Sequence, residues 1–124
     1  TCALPIYPAQ STLLRNIAAE KLESKDIYEC AVKGDTMAIE VFEYTGKILG
    51  MALANFIMFS SPEAIILFGG AAKAGNLLMK PVRKYMEENL LPFYKNRVKL
   101  LFSSLKENDA AILGASALVW EKNY

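Results

Sequence analysis

The sequence predicts an α/β fold rich in helix, in the order helix, helix, long helix, strand, helix, strand, helix, with its two strands forming a short parallel pair. Three observations predict it. Two short apolar runs, AIILF at 64–68 and RVKLLF at 97–102, flank a segment of helical period, and a strand–helix–strand unit closes as a right-handed crossover onto a parallel neighbour. Ahead of them, Met37 to Ile57 repeats apolar residues at helical spacing over a stretch far longer than a strand. The first run ends abruptly in Gly69-Gly70, where a chain can turn sharply from strand to helix.

Taken in order, residues 1–10 (TCALPIYPAQ) form an extended N-terminal arm, because Pro5 and Pro8 disfavour helix. The arm reads as a connector rather than a PxxP ligand, and it lacks the basic start and long apolar core of a signal peptide. Residues 11–124 form a single α/β domain. Ser11 or Thr12 caps a short helix through Ala19, and Ser24 caps a second one that ends near Gly34 in a KGD turn. Asp35 then caps the long helix, whose apolar positions include Met37, Val41, Phe42, Ile48, Leu49, Leu53, Phe56 and Ile57. From Ile48 to Phe59 it is apolar nearly all round and should be covered on every side. Gly46 and Gly50 share one face of it, and their missing side chains let another backbone approach closely.

Ser60, Ser61 and Pro62 stop that helix. Ala64–Phe68 is apolar on both faces, the pattern of a strand buried within a parallel sheet. Helix resumes after the glycines, near Ala72, and runs to Asn89, with Leu77, Leu78, Val82, Tyr85 and Met86 as its apolar stripe. Asp109 caps a last helix from Ala110 to Trp120, on which Gly114 is a close-packing point. Asn55 reads as a hydrogen-bonded core residue at the glycine end of the sheet, near Ser103 and Ser104. Two strands cannot cover AIILF from both sides, so the chain reads as part of a larger fold.

Composition excludes several functions. Formal net charge is +1, with 53% hydrophobic and 22% charged residues, which gives no basic surface for nucleic acid or an anionic membrane. Arg83, Lys84, Lys95, Arg97 and Lys99 alternate with Glu87, Glu88 and Asn96 and read as a solvated face. Cys2 and Cys30 form neither a disulfide framework nor a zinc site, so a reducing, cytoplasmic setting is expected. Histidine is absent, which removes Ser-His-Asp, Cys-His and HExxH chemistry. The Ile48–Phe59 run is shorter than the roughly 20 residues of a membrane span. Asp26 and Asp35 follow capping logic, and no residue is assigned a catalytic role.

Paired glycines between a buried strand and a helix serve either of two ends. They can turn the chain through positive φ, or they can let a ligand lie on backbone at the carboxyl end of a parallel strand. Neither GxxxxGK[ST] nor GxGxxG fits Gly69-Gly70 and Gly75-Asn76, so on the residues alone both uses stay open.

From about Ser24 to Tyr124 the sequence resembles the C-terminal part of the ROK family of sugar kinases and sugar-responsive repressors. The blocks that carry the resemblance are DIYECAVKGDTMAIEVFEYTGKILGMALANFIMFSSPEAIILFGGAAKAGNLLMKPV, then KLLFSSL, then DAAILGASALVW. It implies the helix-rich C-terminal portion of an actin/hexokinase-like, ribonuclease H-like lobe. It further implies that Gly69, Gly70, Ala71, Ala72 and Gly75 lie beside the adenosine of ATP, with Ala71 where many relatives have a third glycine. The family's DxGxT phosphate loop, catalytic aspartate, ExGH sugar motif and cysteine-rich zinc motif find no match here. The resemblance therefore implies a piece that begins after the catalytic centre and is inactive alone.

In the full-length parent, the implied activity is ATP-dependent, Mg²⁺-assisted phosphoryl transfer to a hexose hydroxyl, as in a glucokinase. The implied partners are nucleotide, sugar and the missing N-terminal lobe, without membrane or direct nucleic-acid contact. The alternative is the same region of a sugar-responsive transcriptional repressor. A third reading, an α/β module whose glycines only turn the chain, predicts no nucleotide effect. Without its covering lobe the chain should expose a large apolar area and an open sheet edge, which predicts a homo-oligomer.

Overall fold

The computed structural model describes residues 12–105 and 107–120; the extended arm expected at 1–10 lies outside the described residues. The described residues open with two 3-10 turns, Leu13–Asn16 and Ala19–Lys21, in place of the single short helix expected through Ala19. Thr12 does cap the first turn, its Oγ1 accepting from the Leu14 N–H at 3.2 Å. The difference has a tertiary cause. Asp35 accepts the Leu13 N–H at 2.6 Å and Leu14 is buried, so this segment is held by the rest of the protein rather than by its own helical bonds.

Helix α1 spans Ser24–Val32, with Glu23 rather than Ser24 as its N-cap. The Asp26 carboxylate sets that boundary by accepting the Glu23 N–H at 2.9 Å. Gly34, at φ +86°, reverses the chain, and its N–H and that of Asp35 satisfy the carbonyls of Ala31 and Cys30 at 3.0 Å each. Helix α2, Thr36–Ser60, then starts as expected: Asp35 Oδ1 accepts from the Ala38 N–H at 3.1 Å. It ends at Ser61, whose left-handed φ of 48° brings its N–H to the Ile57 carbonyl ahead of Pro62.

Strand β1, Ala64–Leu67, pairs in parallel with β2, Lys99–Phe102, in the register Ala64 to Lys99 and Leu67 to Phe102. Between them lies helix α3, Asn76–Asn89. The last helix, α4, spans Glu107–Trp120 and so begins ahead of the expected start, with Asp109 as its third residue rather than its cap.

The core is the α2–α3 contact closed by β2: Leu53, Ala54 and Ile57 against Leu78, Met79, Val82, Met86 and Leu90, with Leu100 beneath. Burying one such aliphatic side chain stabilises the fold by about 1.5–3 kcal/mol. The two glycines of α2 make that contact possible. A Cβ on Gly46 would lie 2.6 Å from Pro81 Cβ, and one on Gly50 would lie 2.7 Å from the Val82 carbonyl oxygen. Gly46 thus gives room to the ring of Pro81, which is buried within α3. A second cluster joins Leu14, Cys30 and Ala31 of α1, and Met37 and Ala38 of α2.

The far side of α2 is open. Ile48, Phe56 and Phe59 are 53%, 62% and 90% exposed, so the covering expected on every side is absent among the described residues. Asn55, expected in the core, is also exposed on that side. Ile66 and Phe68 follow the same pattern, because one partner strand and α3 cover only part of β1. A Cβ added at Gly114 would meet nothing within 4 Å among the described residues, so it is not the close-packing point expected. The basic residues Arg83, Lys84, Lys95, Arg97 and Lys99 are exposed, as a solvated face requires. Among the described residues, no helix is long and apolar enough to cross a membrane.

Candidate functional site: the glycine turn and its cleft

Beyond β1 the chain passes through Gly69 at φ +96°, a 3-10 turn over Gly70–Ala74, and Gly75 at φ +57° before α3 begins at Asn76. The helix expected from Ala72 therefore starts four residues later. Gly75 is the reason: its backbone breaks the 3-10 turn, and its carbonyl accepts the first helical bonds from Leu78 and Met79 at 3.2 and 2.9 Å. The paired glycines divide two tasks. Gly69 supplies the left-handed conformation that other residues rarely adopt, and an added Cβ there would meet nothing within 4 Å. Gly70 stands in a 3-10 turn, whose φ is negative, and contributes bare backbone to a cleft.

That cleft has a volume of about 830 Å³, within the range of small-molecule sites. One wall is the turn and the start of α3, with Gly70, Lys73, Ala74 and Leu78; the other is α1, with Lys25, Ile27 and Tyr28. Val41, Phe42 and Thr45 of α2 form its floor. The Thr45 hydroxyl is spent on its own helix, donating to the Val41 carbonyl at 2.7 Å, so the floor is apolar in effect. Lys25 and Lys73 stand exposed at the rim together with Glu23 and Glu29, and Lys25 meets Glu29 at 3.9 Å. Apolar walls, bare backbone at Gly70 and a rim of mixed charge suit a flat, largely apolar heterocycle.

Of the five residues predicted from the sequence, Gly70 lines the cleft, Gly69 and Gly75 shape the turn on either side of it, and the backbone of Ala71 and Ala72 continues the 3-10 turn. The opposite wall, Ile27 and Tyr28, escaped sequence reasoning because only long-range packing brings α1 to the glycines. Its signal was present: Cys30 and Ala31 turn α1 toward α2 and leave Tyr28 on the outward face. Asp26 and Asp35 both spend their carboxylates on backbone N–H groups. Among the described residues no cluster of three His, Cys, Asp or Glu side chains could hold a metal ion.

A parallel strand running into a glycine turn beside a helix-walled cleft is an α/β arrangement of the kind in which small molecules lie at strand carboxyl ends. More particularly, residues 8–122 match the model of the ROK family, and the chain belongs to that family. It is 34% identical over 98 residues to a glucokinase of Halalkalibacterium halodurans, covering 79% of this chain and 29% of that one. It is 32% identical over 95 residues to the DNA-binding transcriptional dual regulator NagC of Escherichia coli, covering 77% and 23%. Among solved structures, a sugar kinase described from Cytophaga hutchinsonii superposes with a TM-score of 0.81 at 32% identity, over 94% of this chain and 38% of that one. A ROK family glucokinase from Streptomyces griseus, in complex with glucose and AMPPNP, superposes at 0.70 with 28% identity, over 82% and 32%. The chain thus spans well under half the length of each of these relatives.

Proposed function

We propose that this chain is the C-terminal, adenosine-side portion of an ATP-dependent sugar kinase of glucokinase type. The observation that carries the reading is Gly70, which opens side-chain-free backbone onto the cleft at the carboxyl end of β1. Glucokinase and sugar kinase relatives support it, one of them in complex with glucose and AMPPNP. Residues 11–124 then act as one α/β domain of a two-lobed, cytoplasmic protein of the actin/hexokinase-like class. The remaining lobe supplies the sugar site and the base that accepts the hydroxyl proton.

ATP with Mg²⁺, when bound, supplies the phosphoryl group. The work of this chain is to bind and orient. Ile27, Phe42 and Leu78 give the adenine an apolar surface and exclude water from it, and Tyr28 flanks the opening. Gly69 and Gly70 let the nucleoside approach the backbone, with Ala71, Ala72 and Gly75 completing the turn. In a phosphoryl transfer such positioning, with electrostatic stabilisation, is the larger part of catalysis. This reading assigns the base to the remaining lobe and none to this chain, so the chain alone is expected to be inactive.

A second reading has its own support in NagC, a regulator sharing this region at 32% identity. There the cleft and turn would serve sugar-responsive control of DNA binding and not turnover. The deciding experiment is ADP release by the full-length protein with ATP, Mg²⁺ and a panel of hexoses and amino sugars. Sugar-dependent release is expected; a folded protein that releases none with any sugar moves the assignment to the regulator.

A further inference from the structure

Asp35 does more than an N-cap requires. A cap needs one acceptor atom for one backbone N–H, and Oδ1 provides it to Ala38. The rest of the carboxylate reaches back 22 and 23 residues. The Thr12 hydroxyl lies 3.0 Å from Oδ1 and 2.9 Å from Oδ2, and the Leu13 N–H donates to Oδ2. Asp35 is 9% exposed. Burial pushes its carboxyl up, but the bonds from Leu13, Ala38, Thr12 and Met37 outweigh that and hold it below the ordinary carboxylate range. It is therefore charged at neutral pH, and its hydrogen bonds are of the stronger, charge-assisted kind.

What those bonds hold in place is the back of the cleft wall. Pinning Thr12 and Leu13 seats Leu14, 1% exposed, against Cys30 and Ala31 of α1 and Met37 and Ala38 of α2. Leu22, Ile27 and Phe42 pack on this same cluster, and the same three side chains line the cleft. Helix α1 has nine residues, fewer than the roughly 12–15 at which an isolated helix becomes even marginally stable in water. Its position is thus set by what it packs on: α2, the Leu13–Asn16 turn and the Gly70–Ala74 turn.

We infer that Asp35 is a positioning residue for the cleft: by pinning Thr12 and Leu13 it seats Leu14 under α1 and fixes the wall formed by Leu22, Ile27 and Tyr28. The identity of the ligand rests on the kinase reading; the coupling from Asp35 to α1 does not. Segment 12–16 then transmits to the cleft any displacement of the chain that precedes it.

Three variants of the full-length protein separate this role from simple capping. Asp35→Ser keeps a good N-cap for α2 but is too short to hold both Thr12 and Leu13; Thr12→Val removes the hydroxyl from the other side, and Thr12→Ser restores it. Hydrogen exchange at α1 amides and steady-state kinetics are measured on each. Losing a charge-assisted bond should speed α1 exchange by about tenfold and raise KM for ATP several-fold, with α3 exchange, kcat and sugar KM within about twofold of wild type. Thr12→Ser should return both readouts to wild type. Wild-type α1 exchange in Asp35→Ser and Thr12→Val overturns the inference, as does a uniform loss of kcat and exchange protection across the whole protein. If the unaltered protein turns over no ATP, the kinase reading fails, and α1 exchange alone still decides the coupling.

Discussion

Replacing Gly50 by alanine tests the packing that shapes the domain. A Cβ at Gly50 would lie 2.7 Å from the Val82 carbonyl oxygen and 2.8 Å from the Met86 nitrogen, against 3.4 Å or more for ordinary contact. Both neighbours are backbone atoms, so no rotamer change relieves the clash and α3 must retreat from α2. A retreat of more than half an ångström weakens the contacts of Leu78, Val82 and Met86, each at most 2% exposed. Overpacking of this kind costs about 3 kcal/mol, offset by about 1 kcal/mol from the better helix propensity of alanine. The net loss of about 2 kcal/mol lowers Tm by about 8 °C in a domain of this size. Gly114 provides the control: it lies within α4 with open space around it, so Gly114→Ala should raise stability by about 0.5–1 kcal/mol. Thermal and urea unfolding measure both. A Gly50→Ala variant as stable as wild type would refute the close-packing account of these helices.

Two further outcomes follow from other parts of the molecule. Because the Asp35 carboxyl is held below its ordinary value of 3.8, its contribution to stability is complete above that value and disappears as pH falls through the folded-state value. Urea unfolding across acidic pH should show the advantage of wild type over Asp35→Asn shrinking on acidification; a constant difference would contradict the charged network. The 124-residue chain alone should self-associate through the open side of α2, where Phe56 and Phe59 are 62% and 90% exposed. Sedimentation velocity should show the double variant Phe56→Glu/Phe59→Glu shifted toward monomer, and a clean wild-type monomer at high concentration would count against it.

The long helix and its neighbours were legible because local chemistry and tertiary packing agree there. Asp35 starts α2, Ser61 and Pro62 end it, and Gly46 and Gly50 mark the face that meets α3. The parallel strand pair was legible for the same reason: a short apolar run, a helix and a second run leave few other arrangements. Where the sequence misled, a distant partner overrode local preference. Thr12 looks like the cap of an α-helix, yet its hydroxyl and the following N–H belong to Asp35, and a 3-10 turn results. Helical composition around Ala72 predicts an early α3, but Gly75 adopts positive φ and delays it. Asn55 lies outside the core because the side of the apolar run that carries it is open among the described residues. At the candidate site the glycines are readable as a motif, while the facing wall is not: Cys30 and Ala31 mark the inward face of α1, but not that Ile27 and Tyr28 meet a turn over 40 residues away.

The most direct test of the central claim is titration of the full-length protein with a fluorescent ATP analogue, comparing wild type with Gly70→Val. Gly70 does not need a left-handed backbone, so the variant should melt as wild type does when no nucleotide is present. A side chain in the cleft should weaken nucleotide binding by about tenfold or more, the effect of losing on the order of 1.4 kcal/mol. Coincident binding curves from two folded proteins would contradict the account and leave the glycine turn as chain geometry alone.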